Sequence, residues 1–327
     1  MTLSRRHLLS GAALAPLVLA APVLLGRARA EAQSTTGPTS AYVRRKVGSI
    51  EVTALYDGQI TFPTQMLAGF DDATAAESAR HAYRAHDPVS MVFGINGYLI
   101  RTAGRIIAVD TGGPAVMSPT VGGWHGSLAA AGVRPDEVDT VFATHLHADH
   151  VGGLSDPAKG TKLLPNARLV AGVVDWTFTH DEAVYAQLPA DFKGFFDLSR
   201  ALVAPYAADK ELIEAGAEIA PGLTTVALPG HTPGHMGLRV DDGGESLLIW
   251  GDVVHATAYQ FSNPDWALAF DTDPAGASAT RRKTLDMAAS DRLLVAGMHL
   301  DMPGFGYVEA AGDAWRYVAA PPDYRVG

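Results

Sequence analysis

The sequence contains no cysteine among its 327 residues. This absence excludes disulfide bonds and thiolate metal ligands together, so any metal site must be built from histidine and carboxylate side chains. The chain has ample material for such a site, because it contains 12 histidines and 35 acidic residues.

Clustered positive charge is also missing. The formal net charge is −10, and removal of the first 30 residues, which contain four arginines and no acidic residue, makes it −14. Binding to nucleic acid needs clustered cations. We therefore expect a small-molecule substrate, and neither a nucleic-acid partner nor a polyanionic substrate.

A long unbroken apolar run is lacking as well, and the nearest approach to one is the N-terminal segment. It begins with SRRHLL, continues with apolar residues to Leu25 that Gly11, Pro16 and Pro22 interrupt, and ends in Ala-x-Ala at Ala30. This pattern is typical of a twin-arginine signal peptide cleaved after Ala30. An uncleaved membrane anchor is the alternative, because the run is nearly long enough to span a bilayer.

The predicted organisation is a signal peptide (1–30), a flexible linker (31–41) and one domain (42–327). Export by the twin-arginine pathway predicts a periplasmic or secreted protein without stable membrane insertion after cleavage. Strands are predicted at 50–56, 97–102, 105–110, 138–144, 168–172, 223–228, 236–240, 246–251 and 292–297. Helices are predicted at 73–86, 123–131, 173–185, 194–201 and 274–289. Strands and helices mixed along the whole domain indicate the α/β class.

Four potential metal ligands, His145, His147, Asp149 and His150, fall within six residues directly after a predicted strand. In an extended segment positions 145 and 147 project to the same side, while a turn at Ala148 can bring Asp149 and His150 towards a second centre. Imidazole and carboxylate suit Zn, Mn, Fe or Co, and two ions about 3.5–4 Å apart need more protein ligands than four.

Further ligands are expected at His231, Asp252 and His299, each of which follows a predicted strand. A carboxylate can bridge two cations and a histidine cannot, so we predict Asp252 as the bridging ligand. Any one of these histidines taken alone could instead be hydrogen-bonded in a turn. The cluster at 145–150 makes a metal site the favoured interpretation.

These residues, together with Asp110 in VDTG, resemble the metallo-β-lactamase superfamily. The resemblance extends over essentially all of the predicted domain. Within the superfamily, segments such as LPNA at 164–167, KGFF at 193–196 and FDTD at 270–273 look most like the methyl parathion hydrolase group.

The resemblance implies a four-layer αβ/βα sandwich with two divalent metal ions at one edge, zinc first, with Mn, Fe or Co as alternatives. It assigns His145, His147 and His231 to one ion, Asp149, His150 and His299 to the other, and Asp252 to both. Asp110 would orient a ligand histidine. A homodimer is a further implication. The lack of a cysteine ligand, and His147 at a position that is acidic in flavodiiron-type members, favour a hydrolase over an antibiotic-specific lactamase or an oxidoreductase.

Other residues receive weaker assignments. His235 and His255 are expected to stabilise turns rather than to support ligands, and His81, His86, His125 and His180 to be surface or packing residues. Five aromatic residues lie in segments that resemble the pocket of the methyl parathion hydrolase group, with ordinary core packing as the alternative. They are Phe62, Trp176, Phe195, Phe196 and Phe261.

The predicted activity is hydrolysis of a small neutral ester: a lactone, an aryl ester or an organophosphate triester. The nucleophile would be a hydroxide that two metal ions generate at neutral pH, Asp252 would hold the ions together, and Asp149 would relay a proton to the leaving group. Alternatives of the same fold are a β-lactamase and a thioester hydrolase. A metal-loaded binding protein without turnover is the non-enzymatic alternative.

Overall fold

The computed structural model describes residues 40–326, so the predicted signal peptide and nearly all of the linker lie outside the described residues. Within this range no helix is both long enough and apolar enough to cross a membrane. The strands are β1 (Tyr42–Val47), β2 (Ile50–Pro63), β3 (Leu67–Ala68), β4 (Ser90–Thr102), β5 (Arg105–Val109), β6 (Thr140–Phe142), β7 (Ser155–Asp156), β8 (Thr161–Lys162), β9 (Arg168–Gly172), β10 (Lys210–Ile213), β11 (Glu218–Ala220), β12 (Leu223–Ala227), β13 (Met236–Asp242), β14 (Glu245–Ile249), β15 (Ala267–Leu268), β16 (Leu294–Ala296), β17 (Phe305–Ala311) and β18 (Ala314–Ala319). The helices are α1 (Asp72–His81), α2 (Trp124–Ala130), α3 (Ala148–Val151), α4 (Val173–His180), α5 (Glu182–Gln187), α6 (Ala190–Val203) and α7 (Pro274–Ser290).

Two seven-stranded sheets form the centre of the structure. The first has the strand order β1-β2-β4-β5-β6-β9-β10, and the second has the order β11-β12-β13-β14-β16-β17-β18. In the first sheet β5, β6, β9 and β10 run parallel, and in the second β14 and β16 run parallel. Two short two-stranded sheets, β3 with β15 and β7 with β8, lie outside these.

Successive residues of the central strands face opposite sides of the sheet, and this alternation explains the layers. Ile107 and Val109 of β5 face the core shared by the two sheets, together with Leu247 and Ile249 of β14. Between the first two lies Ala108, which packs in a core with residues of α2 and α6. On the second sheet Leu248 and Val295 pack with Leu285 and Ala288 of α7. Strands buried on both faces require a helical layer on each side, and the predicted αβ/βα sandwich is confirmed.

All nine predicted strands are present, with shifted ends. The predicted helix 173–185 is instead two helices, because Asp181 ends α4 and its side chain accepts hydrogen bonds from the backbone N–H groups of Ala183 and Val184 at the start of α5. The predicted helix 73–86 already ends at His81. These are corrections to the expected elements.

The ends of the central strands position the functional side chains. Strands β5 and β6 of the first sheet end shortly before Asp110 and His145, and strands β12, β14 and β16 of the second end shortly before His231, Asp252 and His299. The residues that the sequence indicates for metal binding therefore lie at one edge where both sheets meet.

Candidate metal centre

The segment after β6 carries four of the candidate ligands. His145 and His147 precede α3, which begins at Ala148 and carries Asp149 and His150. The turn that the sequence indicates at Ala148 is therefore the first turn of a short helix. Because of this turn, the side chains of Asp149 and His150 point in a different direction from those of His145 and His147.

One group of donors consists of His145, His147, His231 and Asp252, whose ligand atoms lie within 4.8 Å of one another. His231 Nε2 is 3.2 Å from Asp252 Oδ2 and 3.0 Å from His147 Nδ1. His145 Nε2 lies 3.7 Å from the same carboxylate oxygen.

A second group consists of Asp149, His150 and His299, again with ligand atoms within 4.8 Å. The Nε2 atoms of His150 and His299 are 3.7 and 3.5 Å from Asp149 Oδ2. They are also 3.2 and 3.3 Å from Asp252 Oδ2. Asp252 therefore adjoins both groups, as a bridging ligand must.

The donors fit two metal ions. Two donors about 2.0–2.2 Å from one ion lie roughly 3–3.6 Å apart, which matches the separations above. His145 Nε2, His150 Nε2 and Asp252 Oδ1 are buried and have no hydrogen-bond partner within residues 40–326. Since buried polar atoms are normally paired, these atoms are those expected to face cations.

Buried partners hold the ligand histidines through their other ring nitrogens. His150 Nδ1 lies 2.6 Å from Asp110 Oδ2, His231 Nδ1 lies 2.8 Å from Asp271 Oδ1, and His299 Nδ1 lies 2.8 Å from the carbonyl oxygen of Gly94. Asp110 is fully buried and also accepts hydrogen bonds from the N–H and hydroxyl of Thr144. Such partners fix the ring orientation of metal-binding histidines.

Burial and charge set the protonation of the cluster. Burial lowers the pKa of His147 to about 3, so its ring is neutral and has a free lone pair at neutral pH. Burial by itself would raise the pKa of Asp252, but the surrounding histidines, His150 first, hold that pKa well below its usual value. A neutral imidazole and an ionised carboxylate are the states that bind metal.

A sequence model described as the Metallo-beta-lactamase superfamily matches residues 91–299. This range includes both groups of donors. The chain belongs to the metallo-β-lactamase superfamily.

Similar proteins agree with this membership. The chain is 29% identical over 172 residues to the Beta-lactamase-like protein 2 homolog of Drosophila melanogaster, in an alignment covering 51% of this chain and 52% of the relative. It thus spans about half the length of that curated relative. The solved hydrolase AbOPH, of the beta lactamase superfamily, has a TM-score of 0.81 at 28% identity, with 87% of this chain and 99% of that chain covered. AidC, a dizinc quorum-quenching lactonase in complex with a product, N-hexanoyl-L-homoserine, has a TM-score of 0.79 at 23% identity and coverages of 86% and 98%. The likeness to AidC concerns the fold.

Two carboxylates that the sequence analysis did not assign support this metallo-β-lactamase site. Asp271 lies beside His231, and Asp175 on α4 accepts a hydrogen bond of 2.8 Å from the backbone N–H of Leu146, between two candidate ligands. Both are buried. Asp271 belongs to the FDTD segment at 270–273, which resembles the methyl parathion hydrolase group. That resemblance was the one feature of the sequence that could have indicated Asp271. Asp175 has no signal in the sequence beyond its place in an apolar helix.

The two histidines expected in turns differ from each other. His235 Nδ1 donates to the carbonyl of Leu228, and its Nε2 accepts from the backbone N–H of Asp252. Burial lowers the pKa of His235 to about 4, which suits the acceptor role. His255 instead has Nε2 3.0 Å from Asp252 Oδ2, inside the cluster. The hydrogen bonds of His235 are those expected in a turn, whereas the hydrogen bond of His255 reaches the candidate ligand Asp252, three residues earlier in the chain.

The remaining histidines have partners of their own outside the two donor groups. His81 pairs with Glu77 at the surface, and His86 with Asp72. His125 Nε2 lies 2.8 Å from the carbonyl of Gly153, and His180 Nδ1 lies 2.9 Å from that of Trp176.

A row of aromatic rings leads away from the cluster. The ring of Phe93 lies 6.0 Å from that of His299 and 5.5 Å from that of Phe62. Phe62 contacts Phe270 at 5.3 Å, and Phe270 contacts Phe195 at 6.1 Å. Phe195 is 43% exposed. The row therefore connects the donors to the surface.

Only two of the five predicted pocket aromatics, Phe62 and Phe195, belong to this row. Phe261 is 3% exposed and packs with Trp250 in the core against α7, which agrees with the alternative of ordinary core packing. Trp176 stacks on His180, and Phe196 contacts Phe178. Phe93 and Phe270 were not predicted, because their role depends on contacts between distant segments.

Proposed function

We propose that this metallo-β-lactamase superfamily protein hydrolyses a small neutral ester, and that a lactone with an apolar acyl chain is its substrate class. The observation that carries the proposal is the row of aromatic rings that begins beside His299 and ends at the exposed Phe195. Such a wall removes the apolar part of a substrate from water, at about 25 cal/mol per Å² of buried surface. AidC, whose fold this chain shares, is a lactonase, and this supports the same class.

The ligand assignment is part of the proposal. His145, His147 and His231 hold one ion, Asp149, His150 and His299 hold the other, and Asp252 is shared. When bound, two divalent ions lower the pKa of water towards about 7 and polarise a carbonyl or phosphoryl oxygen. Zinc is the proposed metal.

The protein's own groups then divide the remaining tasks. Asp110 and Asp271 keep His150 and His231 in fixed orientations through their hydrogen bonds. The side chain of Asp149 is 21% exposed, whereas that of Asp252 is 2% exposed. Asp149 is thus placed to pass a proton to the leaving group, since it reaches both the cluster and solvent.

Initial rates and metal content test the proposal. We would assay N-hexanoyl-homoserine lactone, methyl parathion and a chromogenic β-lactam with wild type, His147→Ala and His81→Ala. Removing a ligand should lower kcat/KM for the lactone by at least about a hundredfold, because loss of even an outer partner of a metal ligand costs about 10–100-fold. The exposed His81 is the matched control and should have no effect.

The outcomes separate the alternatives. Two metals per chain with the lactone as preferred substrate support the proposal. A preference for methyl parathion would support the organophosphate triesterase reading suggested by the methyl parathion hydrolase resemblance, and a preference for the β-lactam would support a lactamase. Two bound metals without turnover of any ester would support a binding protein. Equal rates for wild type and His147→Ala would overturn the ligand assignment.

A further inference from the structure

The segment that carries His299 leaves the second sheet and packs against the first. It comprises residues 297–304, between β16 and β17, and is called the His299 turn below. Asp149 and His150, with which His299 would share the second ion, follow β6 of the first sheet. Binding of the second ion therefore requires that the His299 turn be held at a fixed distance from the first sheet.

The His299 turn lies along a part of β4 that β5 leaves open. Strand β5 pairs with β4 only from Tyr98 onward. Before that point the backbone N–H of Asn96 donates to the carbonyl oxygen of Met298 at 2.8 Å, and the carbonyl oxygen of Gly94 lies 2.8 Å from His299 Nδ1. Buried backbone groups need such partners, so the turn replaces β5 beside this part of β4.

The side chain of Asn96 adds a further hydrogen bond. Its amide Nδ2 donates to the carbonyl oxygen of Leu300 at 2.7 Å, and the residue is fully buried. Met298 and Leu300 are the two neighbours of His299 in the chain. Asn96 therefore fixes the backbone on both sides of the proposed ligand.

The hydroxyl of Tyr98 joins the two ends of the His299 turn. It donates to the carbonyl oxygen of Gly304 at 2.7 Å and accepts from the backbone N–H of Gly297 at 3.0 Å. One hydroxyl can do both, because it has a single proton and two lone pairs. Tyr98 is fully buried, and burial raises its pKa well above the usual value, so the hydroxyl keeps its proton. A Cβ added to Gly304 would lie 3.0 Å from this oxygen, which is a further sign of close packing.

We propose that Tyr98 is a positioning residue for the second ion, and that Asn96 assists it. Both act through the backbone of the His299 turn and not as ligands. The inference rests on the proposed function, because it requires two ions. The first ion takes no ligand from this turn, so its affinity should not depend on the Tyr98 hydroxyl.

Tyr206 provides a matched control for Tyr98→Phe. It is also fully buried, and its hydroxyl lies 3.0 Å from the carbonyl oxygens of both Leu154 and Leu164. Neither carbonyl belongs to the His299 turn or to the ligand segment 145–150. Tyr206→Phe therefore removes a comparable hydroxyl and keeps the ring, but leaves the His299 turn as it is.

Cobalt substitution tests the proposal without reference to turnover. The chain from Glu31, the predicted mature protein, is stripped of metal and reloaded with Co²⁺ as wild type, Tyr98→Phe and Tyr206→Phe, and visible absorption is followed during titration with a chelator. The absorption of each site is assigned with His147→Ala, which lacks a ligand of the first ion only, and with His299→Ala, which lacks one of the second only.

We expect Tyr98→Phe to lose the second Co²⁺ at about tenfold lower chelator concentration than wild type, at the low end of the 10–100-fold effect of outer partners of metal ligands. The absorption of the second site should change, and the first Co²⁺ should be released as in wild type. Tyr206→Phe should match wild type at both sites.

The contrary outcomes are distinct. Second-site affinity and absorption unchanged in Tyr98→Phe would overturn this inference alone, and so would an equal weakening of both ions or a similar weakening in Tyr206→Phe. A wild type that binds fewer than two ions would overturn the proposed function as well. If Tyr98→Phe does not fold by circular dichroism, Asn96→Ala is measured in its place, and unchanged binding of the second Co²⁺ in that variant overturns the inference.

Discussion

Single buried carboxylates hold the loops around the candidate metal centre. Asp57 on β2 accepts hydrogen bonds from the backbone N–H groups of Gly113, Gly122 and Trp124 at 3.1, 3.2 and 2.9 Å. This fixes the segment between β5 and α2, where a Cβ added to Gly113 would lie 3.4 Å from Cα of Asp149. The loop that borders a proposed ligand is therefore organised by one side chain from a different strand.

Asp57 should make the free energy of unfolding decrease as pH rises, which is the opposite of the effect of most aspartates. Burial raises its pKa to about 6, although the three backbone donors oppose this. The folded state therefore binds more protons than the unfolded state, whose pKa is about 3.9, and the contribution of Asp57 to stability falls as pH rises through about 4 to 6. From pH 5 to 7.5 the unfolding free energy of wild type relative to Asp57→Asn should fall by about 1 kcal/mol.

Urea unfolding of both proteins at the two pH values measures this change. Asp209→Asn, at an exposed aspartate outside this loop, serves as the control for the substitution itself. A difference between wild type and Asp57→Asn that increases with pH would contradict the assigned direction.

The candidate ligands could be recognised from sequence because four of them are adjacent and the others follow strands. The buried carboxylates that hold these ligands in place could not be recognised from sequence. Asp271 is 40 residues from His231, and Asp175 is 29 residues from Leu146. A buried carboxylate without a local motif has no signature until the chain is folded, and the same is true of the position of His255 beside Asp252.

At the scale of elements, strand prediction succeeded where strands are buried and failed at the sheet edges. The strands without a prediction include β1 and β10, the two edges of the first sheet, and β11 and β18, the two edges of the second, together with β17 beside β18. β1 reads YVRRKV, whose charged residues give little hydrophobic signal. Edge strands carry such residues because one side faces solvent, where charge prevents pairing with other chains.

Helix α7 is joined to the loop of the shared ligand by a buried arginine. Arg281 is 1% exposed and donates to the carbonyl oxygens of Val253, Pro264 and Trp266 at 2.7, 2.6 and 3.2 Å. Arg281→Met would leave these carbonyls without that donor, at about 1–3 kcal/mol each. We expect the unfolding free energy to fall by at least about 3 kcal/mol, as measured by urea unfolding.

The adjacent residue is a matched control. The side chain of Arg282 is 41% exposed and pairs with Asp265. Exposed pairs contribute under about 1 kcal/mol, so Arg282→Met should be nearly neutral. Similar losses in the two variants would mean that helix contacts, rather than the buried hydrogen bonds, determine the effect.

The aromatic row predicts a dependence on acyl chain length. Phe270 connects Phe62 with Phe195, so Phe270→Ala interrupts the row. Each buried methylene contributes about 0.8 kcal/mol. If the lactone proposal is right, the variant should lose more kcat/KM for decanoyl- than for butanoyl-homoserine lactone, by about tenfold or more. An equal loss for both chain lengths would show that the acyl chain binds elsewhere.

At the scale of the whole molecule, the predicted N-terminal signal is open to a direct test. Replacement of Arg5 and Arg6 by lysine keeps the charge but changes the twin-arginine pair. We expect the variant to remain in the cytoplasm with its signal attached, and the wild-type protein to begin at Glu31, as intact mass after cell fractionation would report. Equal export of both proteins would contradict the twin-arginine route.

The sandwich as a whole could be predicted from alternating strands and helices together with the resemblance, and its family membership is confirmed. The pairing of the two sheets could not be derived from local patterns. It depends on Ile107, Val109, Leu247 and Ile249 meeting in one core, although β5 and β14 lie far apart in sequence. A homodimer stays a prediction.

Each proposed ion takes ligands from both halves of the chain. His145, His147, Asp149 and His150 follow β6 of the first sheet, while His231, Asp252 and His299 follow strands of the second. Neither half alone supplies all the proposed ligands of an ion, so we expect tight binding only when the two sheets have docked, and bound metal then stabilises that docked state. A molecule that has bound both ions is therefore one in which the two sheets have docked. If the predicted twin-arginine signal directs export of the folded chain, the molecules competent for export are those that have bound both ions.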